Sequence, residues 1–530
     1  MVIRVEAKSR AEYSARNTTI AVTSNTAAIL MGYAVRVVFT HTLSESYVGV
    51  SGLFTDILNI LNLSEMGIGA AVTYALYLPV ARGDREKQKS LMRLFRLFYR
   101  LTAAAVALLG LAVVPFLGIL TGNPPEVKQL TLIYLMYLTN TSISYLFTYK
   151  RTVVDAHQLI YIGTLYQTVF LILQDVVQIG ILLLTRDFLL FLSVYLVCTL
   201  GANLGISRKA DKLYPYLKEK NRLPLPQEEK RDIYRNIRAM LLHKLGHVAV
   251  NNTDHILLSV MAGISTVGIY SNYFLLVASV AQVLDKIFQG ITASVGNLGV
   301  TENAKRVRRI FDASCFIGQW MYGLGAICLF ECLNPFVEIS FGASYLFPEE
   351  VVLLLCLNFW ITGMRRAVLV FRDSLGLFWF DRYKSVLEAL LNLAVSIALG
   401  FRLGVLGIFL GTAVSTLLTS SWVEPYMLYK HHLDGKGAKA SGVRSLGLYF
   451  LRYVYSGAVL AGVWFLTDFL CRMVQGSPVM VLLFRVAVCA AAPNLLLFLA
   501  YRRNKEFLFL TEKAAKLLKS RDKTSLRKPL

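Results

Sequence analysis

The sequence predicts an all-α polytopic membrane protein, and three observations lead to this fold class. Only 17% of the 530 residues are charged and 55% are hydrophobic, whereas about a quarter of the residues in an average soluble protein are charged. Apolar stretches of roughly 20 residues, the length that crosses a bilayer, recur from one end of the chain to the other. Lys and Arg are concentrated in every second one of the loops that connect these stretches, here called joints. This pattern is typical of membrane proteins and not of soluble enzymes.

Fourteen such stretches are the predicted transmembrane helices. The second and eighth exceed the length of a straight span, so we expect them to tilt, bend or extend past the membrane. In chain order the stretches lie near residues 18–40, 47–80, 94–121, 129–149, 159–184, 187–206, 239–261, 266–297, 313–333, 349–371, 383–401, 404–427, 446–470 and 478–501.

The charge of the joints orients these spans. Of the 55 Lys and Arg residues, 44 lie in joints on the side that holds both termini, 4 in joints on the other side and 7 within predicted spans. Because cytoplasmic loops carry the positive excess, both termini are predicted to be cytoplasmic. The same pattern accounts for the net charge of +22 without nucleic-acid binding. Residues 1–17 lack the apolar core of a cleaved signal peptide, so we expect insertion to begin with the first span.

The spans are predicted to form two six-helix bundles and an appended pair. A weak internal repeat at an offset of 219 supports two related halves, a common arrangement in transporters: SYVGVSGLF aligns with STVGIYSNY, and Val48 and Gly49 fall on Val267 and Gly268. The predicted segments are a cytoplasmic N-terminal segment (1–17), an N-terminal bundle (18–206), a cytoplasmic linker (207–238), a C-terminal bundle (239–427), a cytoplasmic loop (428–445), an appended helix pair (446–501) and a basic cytoplasmic tail (502–530).

Ionisable side chains inside the spans are the candidate functional residues, because each costs at least about 2.5–3.5 kcal/mol to insert. They are Arg36, Asp56, Glu65, His243, Lys244, His247, Asp254, His255, Asp285, Lys286, Arg365, Arg366, Glu388 and Arg485.

The basic members of this set are predicted to line a site for an anionic group such as phosphate or pyrophosphate. This candidate binding set consists of Arg36, Lys244, Lys286, Arg365 and Arg366. A structural role is the alternative for most of them. Lys244 would then extend to the membrane interface, Lys286 would pair with another helix, and Arg365 with Arg366 would mark the end of a span.

Asp254 and His255, in the string NNTDHILLS, are candidates for coupling to a proton or sodium gradient. The reason is that histidine titrates near neutral pH. The alternative is a buried polar pair without a role in coupling.

The sequence contains no catalytic signature such as HExxH, GxxxxGKS, GxxxxGKT or a GxSxG that follows a strand, each of which would place reactive groups together. All seven cysteines lie in or at the ends of apolar spans without a CxxC pair, a pattern that favours packing over metal binding. We therefore expect a protein that is not an enzyme and has no catalytic residues, cofactor or metal.

The chain also contains long strings that are typical of one group of transporters. They are SYVGVSGLFTDILNILNLSEMGIGAAVTYALYLPVARGD, NTSISYLFTYKRTVVDA, NNTDHILLSVMAGISTVGIYSNYFLL, ITASVGNLG, LNFWITGMRRAVLVFRDSLGLFWFDRYK and GTAVSTLLTSSWVEPYMLYK. Between about residue 15 and residue 500 the chain thereby resembles the polysaccharide-exporter branch of the multidrug/oligosaccharidyl-lipid/polysaccharide (MOP) superfamily. These are the O-antigen-type flippases, in a form common in Gram-positive bacteria.

The resemblance implies two six-helix bundles around a cavity that opens alternately to each side of a bacterial plasma membrane. The implied cargo is an undecaprenyl-pyrophosphate-linked oligosaccharide, moved to the outer leaflet for cell-surface polysaccharide biosynthesis. Membrane lipids and a polysaccharide polymerase or synthase complex are the implied partners. Related lipid II flippases use cavity arginines in their first helices, and Arg36 is the nearest counterpart here.

Two other functions stay open from the sequence. One is a cation-coupled exporter of drugs or other small molecules from the same superfamily. Its members often use an acidic residue in the first helix, and the span 18–40 has none. The other is a membrane enzyme or scaffold of envelope assembly, for which the short joints on the outer side leave little room.

Overall fold

The computed structural model describes residues 10–62, 75–122, 124, 126–157, 159–219, 223–231, 233–234, 253–301, 304–375, 383–433 and 439–512. The regular secondary structure in these ranges is helical. The chain divides into two compact units, unit 1 (residues 1–271) and unit 2 (residues 272–530). This division falls inside a long helix, Ile264–Thr301, beyond the predicted linker.

Unit 1 is built from helices that pack side by side. The helix α1 packs along α6, while α5 packs against α3 and α7. Residues 253–262 are also helical and precede α8, whose first eight residues complete the unit. The bounds are α1 (Arg10–Thr42), α2 (Glu45–Leu61), α3 (Arg85–Val113), α4 (Leu117–Thr121), α5 (Leu130–Ala156), α6 (Ile160–Thr185), α7 (Phe188–Leu213) and α8 (Ile264–Thr301).

Unit 2 holds the rest of α8 and a second set of helices. Within it α12 packs against α13, and α9 packs against α10 and α16. The predicted appended pair, α15 and α16, joins this unit through an apolar cluster that includes Phe316, Leu460 and Leu497. The bounds are α9 (Ala304–Phe341), α10 (Glu349–Met364), α11 (Arg366–Ser374), α12 (Lys384–Leu403), α13 (Val405–Leu418), α14 (Ser420–Leu428), α15 (Lys439–Cys471) and α16 (Pro478–Tyr501).

Eleven spans in the described part of the chain are long and apolar enough to cross a membrane. They coincide with the third to sixth and the eighth to fourteenth predicted spans. Large apolar side chains point outward on these helices, as contact with lipid requires: Leu184 is 86% exposed and Phe401 is 80% exposed. The prediction of an all-α, multi-pass membrane protein is therefore confirmed.

The three other predicted spans are described in part. The first corresponds to α1, a 33-residue helix with more polar positions than the rest. The second corresponds to α2, which ends at Leu61, and residues 63–74 lie outside the described residues. Residues 239–252 of the seventh span, including Lys244, also lie outside them.

Two predicted spans prove to be pairs of helices. The span 349–371 is α10 followed by α11, with Arg365 at the junction. The span 404–427 is α13 followed by α14, with Thr419 at the junction, and a π-helical turn at Tyr429–Leu433 follows. A hydropathy pattern averages over about 20 residues, so it does not register an interruption of a single residue.

The two glycines of the internal repeat lie at one close helix crossing in unit 1. A Cβ atom on Gly49 of α2 would stand 2.1 Å from the backbone oxygen of Ile264, and one on Gly268 of α8 would stand 2.4 Å from the backbone oxygen of Glu45. Small residues permit this approach of helix backbones in membranes. The VG pair of each repeat copy therefore contacts the region of the other copy.

Replacing Gly49 tests whether this crossing holds unit 1 together. Gly49→Ala forces the two backbones apart, so we expect the free energy of unfolding to fall by about 1–3 kcal/mol. Gly32→Ala is the matched control, because a Cβ at Gly32 of α1 meets nothing within 4 Å. Thermal unfolding of the purified protein in detergent measures both changes, and an equal Tm for the two variants would contradict the close crossing.

Candidate functional site

A buried acid–imidazole pair occupies unit 1. Asp56 of α2 and His255 of the helical segment 253–262 are 8% and 5% exposed. The Nδ1 atom of His255 is hydrogen-bonded to Oδ2 of Asp56, and its Nε2 atom lies 3.3 Å from Oγ of Ser271 on α8. The ring of Tyr270 packs against the imidazole at a centroid distance of 4.7 Å. Both ring nitrogens are thus engaged, and the tautomer decides which of them donates.

The close crossing of α2 and α8 at Gly49 determines the position of the Asp56–His255 pair. Gly49, Gly52 and Asp56 follow each other at spacings of three and four on α2, so they share one face of the helix. A Cβ on Gly52 would stand 2.5 Å from Oγ of Ser271. The absence of side chains at Gly49 and Gly52 therefore lets Asp56 reach the elements that carry His255 and Ser271.

Asp254 lies beside this pair and is 8% exposed. It and Asp56 both act electrostatically on the hydroxyl of Tyr270. The coupling candidates Asp254 and His255 therefore share one buried environment with a carboxylate from another helix. The sequence identified Asp56 as an ionisable residue within a span, but its position gave no sign of its partner, 199 residues further along the chain.

Arg36 belongs to a second polar group of unit 1. The residue is half-buried on α1, and its charge acts on the hydroxyl of Tyr137 on α5. That hydroxyl lies 2.8 Å from Oγ of Ser51 on α2. The guanidinium of Arg36 on α1 is thus within electrostatic range of a pair of hydroxyls from α2 and α5, and all three groups can donate hydrogen bonds to an anion.

The candidate cations of unit 2 lie in different surroundings. Lys286 is an exposed residue of α8. The guanidinium of Arg366 lies 2.7 Å from Oδ2 of Asp285, and the hydroxyl of Tyr322 donates to the other oxygen of Asp285 at 2.5 Å. Asp285 was predicted from the sequence to be a charge within a span, and the structure shows that its basic partner, Arg366, lies on another helix.

Arg365 is the centre of a buried ion-pair network. From the junction between α10 and α11 it donates two hydrogen bonds to the carboxylate of Glu424, from Nε at 3.0 Å and from Nη2 at 2.7 Å. This bidentate geometry is the strongest that arginine makes with a carboxylate. Glu424 is fully buried and also accepts a hydrogen bond from Nζ of Lys384.

A second carboxylate extends this network. Glu388 of α12 lies 3.5 Å from Nη1 of Arg365 and accepts hydrogen bonds from Thr416, at 3.2 Å, and from Ser420. Arg365 is therefore neutralised by carboxylates of this chain, which fits the structural alternative for this residue. Glu424 and Lys384 were missed at the level of sequence, although an acidic residue inside the apolar span 404–427 was a signal for a buried partner.

In the ranges that the structure describes, no three His, Cys, Asp or Glu side chains meet in a way that could hold a metal ion. The seven cysteines are free thiols, of which Cys198, Cys356, Cys471 and Cys489 are buried. Burial of these four side chains fits a role in helix packing.

The network around Arg365 predicts a large effect of one neutralising substitution. Glu424→Gln leaves the buried Arg365 and Lys384 without a full counter-charge, so we expect unit 2 to lose about 3–5 kcal/mol of stability. Asp373→Asn is the control, since the Asp373 side chain is 55% exposed in its pair with Arg372 and should change stability by less than about 1 kcal/mol. Thermal unfolding in detergent compares the two, and a Tm of Glu424→Gln equal to that of the unaltered chain would rule out a stabilising network.

Comparison with solved structures identifies the fold. The structure of "Lipid II flippase MurJ" in an inward closed conformation matches with a TM-score of 0.62 and 13% identity, covering 92% of this chain and 99% of that one. An inward-facing "multidrug resistance MATE family transporter of the MOP superfamily" matches with a TM-score of 0.60 and 14% identity, covering 74% and 92%. The MATE transporter VcmN of Vibrio cholerae in its bent form matches with a TM-score of 0.50 and 16% identity, covering 83% and 100%.

No protein-family model and no curated protein sequence matches this chain. The likeness to the solved structures extends over nearly the full length of each. At identities of 13–16% it establishes the architecture and leaves the cargo open. The chain has the fold of the MOP superfamily transporters.

Proposed function

We propose that this protein is an alternating-access transporter that flips undecaprenyl-pyrophosphate-linked oligosaccharide units across a bacterial plasma membrane. The cargo moves from the cytoplasmic to the outer leaflet and supplies cell-surface polysaccharide synthesis. The observation that carries the proposal is Arg36, the single charged residue of the span 18–40, in a chain whose fold matches a lipid II flippase over 92% of its length. An enzyme is not proposed, because the matching structures are transporters.

The chemistry of the cargo fits these residues. A pyrophosphate needs cationic donors inside the membrane, and a guanidinium offers them in a fork that matches phosphate oxygens. The hydroxyls of Ser51 and Tyr137 near Arg36 add neutral donors and acceptors for the same group. The lipid tail can stay in the bilayer while the sugars follow a polar path. Lys244 and Lys286 remain further candidates for this path, whereas Arg365 already pairs with Glu424 and Arg366 with Asp285.

A cation-coupled exporter of small molecules is the second candidate. The similar MATE transporters favour it, and a buried Asp56–His255 pair suits coupling to protons. The lack of an acidic residue in the span 18–40 weakens it, because a cationic drug would meet Arg36 without a counter-charge on that helix. A transport assay separates the two functions by cargo.

The first experiment places the purified protein in liposomes and follows a labelled undecaprenyl-pyrophosphate oligosaccharide from one leaflet to the other. We expect movement above that of empty liposomes, and a fall of about tenfold or more for Arg36→Ala, because a charge-assisted hydrogen bond contributes about 1.5–3 kcal/mol. Arg36→Lys keeps the charge without the fork and should retain part of the rate.

The control for Arg36 is Arg402→Ala, which removes an exposed arginine at the end of α12. Full transport by Arg36→Ala would contradict the role of Arg36. Failure of the unaltered protein to move the lipid, together with export of a cationic dye from the same liposomes, would replace the flippase by the drug exporter.

The same liposomes test the coupling residues under a pH or sodium gradient. A proton that binds the Asp56–His255 pair changes the charge next to Asp254 and Tyr270, which share this environment among the residues that the structure describes. We therefore expect His255→Gln and Asp56→Asn to transport at a rate that no longer responds to a pH gradient. His431→Gln, which alters an exposed histidine, should keep the response, and an unchanged gradient dependence in all three variants would exclude this pair from coupling.

A further inference from the structure

Unit 1 contains a basic cavity that the proposed transport does not use. It has a volume of about 590 Å³ and lies between α3, α5, α7 and the 3-10 turn Pro215–Lys218. Small-molecule sites commonly enclose about 300–1,000 Å³, so the cavity is large enough for a compact ligand. Five of its lining residues are basic, namely Lys89, Arg93, Arg96, Lys150 and Lys218.

These five cations come from three joints of the chain. The joints are residues 81–100, residues 150–151 and the linker 207–238, all of which the charge count assigns to the cytoplasmic side. The cavity brings the three joints together at one end of unit 1. Positive charge that the topology distributes over separate loops is thus concentrated around a single open cavity, to which Arg93 and Arg96 are exposed.

The linker is fixed against α3 by polar contacts, so the cavity has a defined wall. The hydroxyl of Tyr216 donates to Oε1 of Gln88, and the guanidinium of Arg85 lies 5.5 Å from the centre of the Tyr216 ring. Burial raises the pKa of the Tyr216 hydroxyl to about 12, so it stays protonated and keeps donating over the physiological pH range. Nζ of Lys87 also lies 2.7 Å from Oε1 of Glu229 further along the linker.

The two acidic residues of the cavity lining, Glu219 and Asp211, already form ion pairs with lysines. Glu219 accepts from Nζ of Lys89 at 2.9 Å, and Asp211 lies 2.8 Å from Nζ of Lys150 and 3.3 Å from Nζ of Lys218. These pairs leave Arg93 and Arg96 as the surplus positive charge of the cavity.

Arg93 and Arg96 carry this surplus on one face of α3. They are one turn apart, so their side chains are neighbours and repel each other. Within the described residues neither has a carboxylate partner at ion-pair distance. The guanidinium of Arg96 lies 5.2 Å from the centre of the Tyr149 ring, a cation–π contact that holds it at the cavity wall. An anion between the two guanidinium groups would relieve the repulsion.

We propose that this cavity binds a phosphate-bearing anion at the cytoplasmic end of unit 1. Two neighbouring guanidinium groups offer the forked donors that phosphate oxygens accept, and Lys89, Lys150 and Lys218 add positive charge around them. A free phosphate compound and the headgroup of an anionic lipid share this chemistry. The site lies apart from Arg36 in sequence and uses none of the predicted cargo residues, so it stands whether or not the flippase assignment holds.

Two binding experiments on the purified protein test the site. The first titrates inorganic pyrophosphate into the protein in neutral detergent by isothermal titration calorimetry. The second places the protein in phosphatidylcholine nanodiscs with or without phosphatidylglycerol and counts bound phosphatidylglycerol by native mass spectrometry. Saturable binding in the first arm identifies a free phosphate as ligand, and binding in the second alone identifies a lipid headgroup.

Variants assign the binding to this cavity. We expect Arg93→Gln and Arg96→Gln each to weaken binding by about tenfold or more, because a charge-assisted hydrogen bond is lost. Arg100→Gln is the matched control, since it removes the same charge from the same helix outside the cavity lining.

A variant that is expected to bind more tightly serves as a control for misfolding, because a misfolded protein would lose binding. Glu219→Gln removes a carboxylate whose side chain is 65% exposed and leaves Lys89 with Glu86 as its carboxylate partner. The positive charge of the cavity rises, so we expect binding to tighten by about threefold. The proposal is overturned by no saturable binding in either arm, by equal binding in the unaltered, Arg93→Gln and Arg96→Gln proteins, or by weaker binding in Glu219→Gln.

Discussion

Arg365 can remain inside a membrane-spanning region because Glu424 neutralises it there. An isolated charge in hydrocarbon is expensive, and only a well-aligned opposite charge with further hydrogen bonds offsets that cost. The bidentate contact between the two side chains ties the junction of α10 and α11 to α14. Lys384 and Glu388 add α12 to the same network. Several helices of unit 2 are therefore held together by ion pairs between their buried side chains.

Unit 1 accommodates its buried polar groups in a different way, through a close helix crossing. At the crossing of α2 and α8 the backbones approach so closely that Gly49 and Gly268 leave no room for a Cβ atom. This approach lets Asp56 and His255 form a hydrogen-bonded pair that is hidden from the surroundings. Such a pair can carry a proton between two states of the protein, whereas the fully paired Arg365 is suited to hold one arrangement. The two units thus hold their buried charges in different arrangements: a single acid–imidazole pair in unit 1 and a network of ion pairs in unit 2.

The sequence predicted the helical membrane fold, but it did not predict which charged side chains pair with each other. The apolar spans follow from residue type alone, because each must present about 20 apolar residues to lipid, and eleven of them recur in the described residues. The MOP superfamily fold, expected from the long strings around Gly49 and Arg365, is confirmed by the matching structures. Pairings are different, because nothing near Arg365 in the sequence indicates that its carboxylate partner lies 59 residues away.

Lys150 and Lys218 show the same limit of prediction from sequence for charged side chains at the surface. The charge count assigns the positive joints to one side of the membrane, yet it does not reveal that Lys150 and Lys218 share Asp211 at the edge of a cavity. That information depends on how α5, α7 and the linker pack. Helix interruptions, such as the one at Arg365, are also invisible to a pattern that averages over a whole span.

The separation of Arg365 from Glu424 along the chain has a consequence for biosynthesis. A ribosome that adds about 5–20 residues per second needs roughly 3–12 s to make the 59 residues between them. During that interval the arginine has emerged while its partner does not yet exist. Until α14 arrives, the span around Arg365 carries the cost of an unpaired charge, about 2.5–3.5 kcal/mol on insertion scales. Packing of unit 2 therefore continues after α10 has been made, because its buried charges can pair only when the later helices are present.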